Sequence, residues 1–77
     1  MTQHEMIEQY IRDFGSITTF DAYRDLGITK LSTRVSEMIR RGAPIIKSDD
    51  HAPNRYGVTV YFKRYFLGHK KDGAANV

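Results

Sequence analysis

Apolar residues recur along the start of the chain at helical spacing. Met6, Ile7, Tyr10, Ile11 and Phe14 share one side of a helical wheel and predict a helix over 3–14. Thr2 followed by Glu5 is a capping-box pattern for its start, and Gly15 is placed to end it. Ser16-Ile17-Thr18 is too short for more than a brief strand or an extended lead-in. Thr18 and Asp21 repeat the capping spacing, and Phe20, Ala22, Tyr23 and Leu26 predict a compact second helix closed by Gly27. From Lys30 a third helix is expected, with Leu31, Val35, Met38 and Ile39 on its core side. Gly42 ends it and Pro44 blocks its resumption.

Beyond Pro44 the periodicity changes. Ile45 to Ser48 is strand-like, Asp49 to Gly57 is expected as a polar loop, and Val58 to Leu67 has the Val, Tyr and Phe content of a strand. The alternation leaves open which face of this last strand is buried: Val58, Val60 and Phe62 share one side, Tyr61, Tyr65 and Leu67 the other. A bulge near Lys63 would switch the sides. The expected domain is 1–67, followed by a disordered tail over 68–77 that lacks apolar periodicity.

The succession helix, short strand, helix, turn, helix, hairpin predicts an α+β winged helix-turn-helix. In that architecture the third helix enters the DNA major groove and the hairpin, or wing, meets the backbone or a minor groove. Charge agrees with a polyanion partner. The net charge is +3, but its distribution matters more. Residues 1–27 hold two cationic side chains against five carboxylates, and residues 28–77 hold ten against four. Any polyanion-binding surface is therefore built from the second part of the chain.

Other classes find little support. With no cysteine, disulfides, thiol catalysis and Cys-based zinc sites are excluded. His4, His51 and His69 have no metal-ligand spacing, so no metal or cofactor is implied. No phosphate-cradling glycine loop, nucleophile elbow or carboxylate pair suggests an enzyme. No signal peptide is visible and no apolar run approaches the roughly 18 residues of a membrane span, so a cytoplasmic protein of a bacterial host cell is expected.

At about 100° per residue the third helix turns Thr33, Ser36, Glu37 and Arg40 away from its core side, with Lys30 and Arg34 on the flanks. Arg34 is either a guanine reader or a solvated surface arginine. Lys30 suits a phosphate, and Ser32 and Thr33 lie where recognition helices touch bases. Glu37 either accepts from a cytosine amine or pairs with Arg34, Arg40 or Arg41. Arg40 and Arg41 suit phosphate contact, or simply the negative end of the helix dipole. In the wing, His51, Asn54, Arg55 and Tyr56 make a polar tip able to reach phosphates or a narrow minor groove, although Asp49 and Asp50 beside it would repel them. Thr18 and Thr19 offer hydroxyl and amide donors to a phosphate, though capping alone accounts for Thr18.

The segments Gly15-Ser16-Ile17-Thr18, Leu26-Gly27-Ile28, Leu31-Ser32-Thr33-Arg34 and Gly42-Ala43-Pro44-Ile45, with the returning Lys63-Arg64-Tyr65-Phe66-Leu67, carry a resemblance. Over residues 3–67 the chain resembles the small winged helix-turn-helix proteins of tailed phages and prophages. The resemblance implies a double-stranded DNA-binding protein with Lys30 and Arg34 at recognition-helix positions. Roles in that group include transcription regulation, excision and replication support. A sequence-selective regulator, acting as a homodimer or cooperatively on DNA, is the leading expectation. The alternatives are an architectural, excisionase-type DNA-bending factor and a protein-binding winged helix that inhibits a host enzyme.

Overall fold

A computed structural model of the chain describes residues 1–68. Helix α1 spans Gln3–Phe14 and opens on a complete capping box. The Thr2 hydroxyl accepts from the Glu5 amide at 3.1 Å, and the Glu5 carboxylate accepts from the Thr2 amide at 2.7 Å. Gly15 closes the helix at φ +91°, a left-handed conformation that a side chain would disfavour. Ile7, Tyr10 and Ile11 are buried as the spacing predicts. Phe14 is not: it is 70% exposed and leans on the Tyr10 ring, 4.6 Å between centroids, one turn beyond the end of the core.

Strand β1 is Ile17–Thr18. Helix α2 begins as an α-helical turn, Thr19–Asp21, and continues into a π-helical stretch, Ala22–Leu26. Thr18 and Asp21 form the second capping box. The widened turn lets the Ile28 amide donate to the Ala22 carbonyl at 3.0 Å, which delivers Ile28 into the core past a left-handed Gly27. Phe20 and Tyr23 are largely exposed, and of this helix only Ala22 is fully covered. On so short a helix, one small residue makes the close approach and the larger rings stay at the rim.

Helix α3 spans Leu31–Arg40 and buries Leu31, Val35 and Met38. Ile39, expected in the core, is partly exposed because it lies on the edge of the apolar arc those three define. The fully buried side chains Ile7, Ile17, Ile28, Leu31 and Val35 come from α1, β1, the turn and α3. Each removes about 1.5–3 kcal/mol worth of apolar surface from water, so the helix-turn-helix is held by one shared core.

Strands β2 (Ile45–Pro53) and β3 (Thr59–Leu67) form an antiparallel ribbon, and β1 joins the other edge of β3, giving the order β1-β3-β2. The register runs unbroken from Ile45 opposite Leu67 to Pro53 opposite Thr59, so no bulge occurs near Lys63. The expected polar loop over 49–57 is thereby corrected: β2 continues through Asp49 to Pro53. Its polarity reflects exposure, not lack of structure. Asp49 pairs with Lys63 and Asp50 with Arg64 across the ladder, which holds the ribbon without an apolar face.

Both faces of β3 are partly covered. Tyr65 is buried against the helices, with Ile45 and Leu67 packed beside the core. On the reverse face the Phe62 ring meets Phe20 edge-on at 5.6 Å, and the Arg64 guanidinium donates to the Ser16 hydroxyl at 2.9 Å. The Gly68 amide, in the first residue of the expected tail, donates to the Pro44 carbonyl. The rest of the expected tail lies outside the described residues.

Candidate nucleic-acid interface

Helix α3 leaves one polar face open by default. With Leu31, Val35 and Met38 turned inward, Ser32, Thr33, Ser36 and Arg40 are exposed on the other side. Lys30 precedes the helix as its N-cap residue, exposed, with no side-chain cap of its own. The first turn of α3 therefore offers unpaired backbone amides next to two hydroxyls and an ammonium. That is a set of donors suited to base edges and phosphate oxygens.

Arg34 and Glu37 do not stand on this open face. They lie on the flank of α3 toward the start of α1, each about 30% exposed. The Arg34 guanidinium is 3.4 Å from the Glu37 carboxylate, and the same oxygen, Oε1, lies 2.9 Å from His4 Nε2. The His4 hydrogen bond, then the nearby Arg34 and Arg41 charges, hold the Glu37 carboxyl below the usual carboxylate range. Of the pairings open to Glu37, the structure has the one with Arg34, plus one with His4 that local spacing does not reveal.

The wing is a two-stranded ribbon whose tip is Asn54 to Gly57. Asn54 is committed to the turn: its side-chain oxygen accepts from the Tyr56 amide at 2.9 Å and the Val58 amide at 3.0 Å. Gly57, at φ +77°, supplies the left-handed residue the turn requires. Arg55 and Tyr56 are left at the apex, with Tyr56 84% exposed. His51 is not at the tip but within β2, opposite Tyr61, with ring centroids 5.8 Å apart. Past the Phe62 contact the ribbon extends three more residue pairs, roughly 10 Å, before the turn.

Ion pairing sorts the cations. Arg12, Arg24, Arg34, Lys63 and Arg64 each sit beside a carboxylate. Among the described residues Lys30, Arg40, Arg41, Lys47 and Arg55 have no such partner. All five belong to α3, its two ends, or the ribbon. The acids expected to repel phosphate are offset, since Lys63 engages Asp49 and the Arg64 hydrogen bond lowers the Asp50 pKa.

Thr18 is buried and its hydroxyl accepts from the Asp21 amide, so it serves as a cap and does not face solvent. Thr19, the first residue of α2, is exposed. Ser36 lies on the open face of α3, as its helical phase predicts. Two neighbours of the candidate surface were not singled out from sequence. Lys47 lies in β2 without an acidic partner, and Tyr61 is exposed opposite His51. Neither has a local signal, because cross-strand register decides which side they take.

Among the described residues no group of three His, Cys, Asp or Glu side chains is placed to hold a metal ion, and no helix is long and apolar enough to cross a membrane. Three helices, a short strand and a C-terminal hairpin wing, with a polar outer face on the third helix, define a winged helix-turn-helix. This is a non-catalytic, generally DNA-binding fold class. The family model described as the winged helix-turn-helix domain matches residues 2–70, and the chain belongs to that family. No curated protein and no solved structure matches the chain.

Proposed function

We propose that the chain is a sequence-selective double-stranded DNA-binding protein that regulates transcription in a phage or prophage. Helix α3 enters the major groove, where Ser32 and Thr33 meet base edges alongside Ser36. Lys30, Arg40 and Arg41 meet flanking phosphates, and the ribbon brings Arg55 and Tyr56 to the backbone or the adjacent minor groove. The observation that carries this reading is the segregation of partnerless cations onto α3 and the ribbon. Cations held only by solvent are what a phosphate backbone binds, with release of counterions. The phage or prophage setting rests on the sequence resemblance alone.

One module of this size covers little DNA, so the reading includes a homodimer or cooperative occupancy of repeated sites.

Selection of bound fragments from random duplex DNA, followed by shift assays at two salt concentrations, tests the proposal. Enrichment of one motif is expected, with affinity that falls as salt rises. Arg55→Ala should weaken all duplexes alike and reduce the salt slope by about one. Absence of any shift at low salt would remove the DNA reading and leave the protein-binding alternative.

A further inference from the structure

A cleft of about 680 Å³ separates the start of α1 from the second half of α3, and its polar lining is not explained by folding alone. Thr2, Gln3 and His4 form one wall; Arg34, Arg40 and Arg41, with Glu37, form the other. Three guanidinium groups thus share one cleft with a single carboxylate. The Glu37 oxygen Oε1 serves both His4 and Arg34, and the Arg34 contact, at 3.4 Å, is long for a charge-assisted hydrogen bond. The Nε of Arg34 is buried without any hydrogen-bond partner. That burial costs the guanidinium part of its hydration, so Arg34 is held by one long ion pair and keeps only its outer nitrogens toward the cleft. Across the cleft the amides of Gln3 and His4, the first two of α1, have no acceptor among the described residues, while the Glu5 amide is already taken by Thr2.

We propose that this cleft is a phosphate site that receives one backbone phosphate of the bound duplex, with Glu37 as the internal anion that holds Arg34 until the phosphate arrives. The proposal rests on the DNA-binding reading and adds a contact to it. Arg40 links the two surfaces, since it is both on the open face of α3 and in the lining of the cleft. A duplex seated on that face brings its groove-edge phosphates beside the cleft. The incoming oxygens find the exposed ends of the Arg34, Arg40 and Arg41 guanidinium groups and the first amides of α1, a set of donors that an anion satisfies together. Arg34 is then a phosphate contact that fixes the register of α3, and not a base reader.

The two residues of the internal pair give opposite signs, which separates the proposal from simple damage. Arg34→Gln should weaken binding about tenfold or more on every duplex and lower the salt slope by about one. Glu37→Gln should strengthen binding to cognate and scrambled duplexes alike, a gain that misfolding does not produce, and the gain should vanish in the Arg34→Gln background. A scan of single neutral methylphosphonate linkages through the selected site should find one position whose loss equals that of Arg34→Gln and does not add to it. Wild-type affinity for Arg34→Gln, with Thr33→Asp still abolishing binding, would overturn the cleft assignment and leave the DNA reading intact. No binding by the wild-type chain at low salt would instead remove the reading beneath it. Inorganic phosphate is the probe for a free-anion site: an NMR shift of the Arg34 Nε–Hε signal by phosphate, with DNA affinity indifferent to Arg34→Gln, would overturn the backbone assignment.

Discussion

Replacing Val35 by alanine tests the rotational phase of α3, on which every proposed contact depends. Val35 is 1% exposed and packs in the cluster formed by Ile7, Ile11, Ile17, Leu31 and Met38. Truncation removes two methyl groups, about 1.6 kcal/mol at 0.8 kcal/mol each, and the rigid helix-sheet surround leaves part of the void unfilled. A cost of about 2 kcal/mol follows. For a domain this small each kcal/mol lowers the thermal midpoint by about 4–8 °C, so a fall of about 8–16 °C is expected by circular dichroism. Thr33, two residues earlier on the open face, should give within about 0.5 kcal/mol of wild type as Thr33→Ala. Thr33→Asp should melt normally yet lose duplex binding, because it would carry a carboxylate into the negative potential of the groove. The sharper variant Val35→Asp would bury a charge where Thr18, the only buried polar residue among the described residues, is already committed to a cap. Its cost of several kcal/mol is comparable with the whole stability of about 4–12 kcal/mol expected for the chain. A silent Val35→Ala beside a destabilising Thr33→Ala would show that α3 is rotated and refute the assigned face.

Three further outcomes are expected. Gly27→Ala should lower the thermal midpoint by strain at φ +69°, about 1–2 kcal/mol, since a Cβ there meets no atom within 4 Å; an unchanged midpoint would mean the turn has another conformation. Thr18→Ala should cost about 1 kcal/mol by removing the α2 capping box, whereas Thr18→Ser should keep most of it. Asp25 is held at a pKa of about 2, well below its ordinary value, first by Arg24 and then by the Tyr10 hydroxyl at 2.5 Å. Its stabilising effect is therefore full above about pH 4 and lost as pH falls through about 2. Midpoints of wild type and Asp25→Asn should differ at pH 7 and converge toward pH 2, and a constant gap would assign the effect to packing.

Helix positions were legible because each carries its own punctuation. Thr2 with Glu5, Thr18 with Asp21, and the glycines at 15, 27 and 42 act through bonds three or four residues apart, so the local string contains them. Degree of burial was less legible where an element ends. Phe14, Phe20, Tyr23 and Ile39 have the right character and spacing for a core, but the core stops short of them. The ribbon was least legible: Asp49 to Pro53 resembles a loop, and only the partners Lys63 and Arg64, fourteen positions away, show it to be a strand. The same holds for the cleft. Helix position alone leaves Arg34 as either a guanine reader or a solvated arginine, and His4, which pairs with Glu37 beside it, lies 33 residues away.

That long-range pairing also explains how a chain of net charge +3 can present a binding surface stronger than its total suggests. Counting charges by segment treats Asp49 and Asp50 as a deterrent to phosphate, yet the structure cancels them with Lys63 and Arg64, which then have little charge left to offer DNA. On α1 and α2, Arg12 and Arg24 are spent on Glu8, Asp21 and Asp25. The cations that remain are those without a nearby acid, and they fall on α3, its ends and the ribbon. Within about a Debye length, roughly 8 Å at physiological salt, a phosphate senses the local unpaired charge and not the sum over the chain. Glu37 is the exception that fits the rule. It is the one acid on α3, and it sits on the flank of the helix, where it pairs with Arg34 without placing a negative charge on the face proposed to meet the groove.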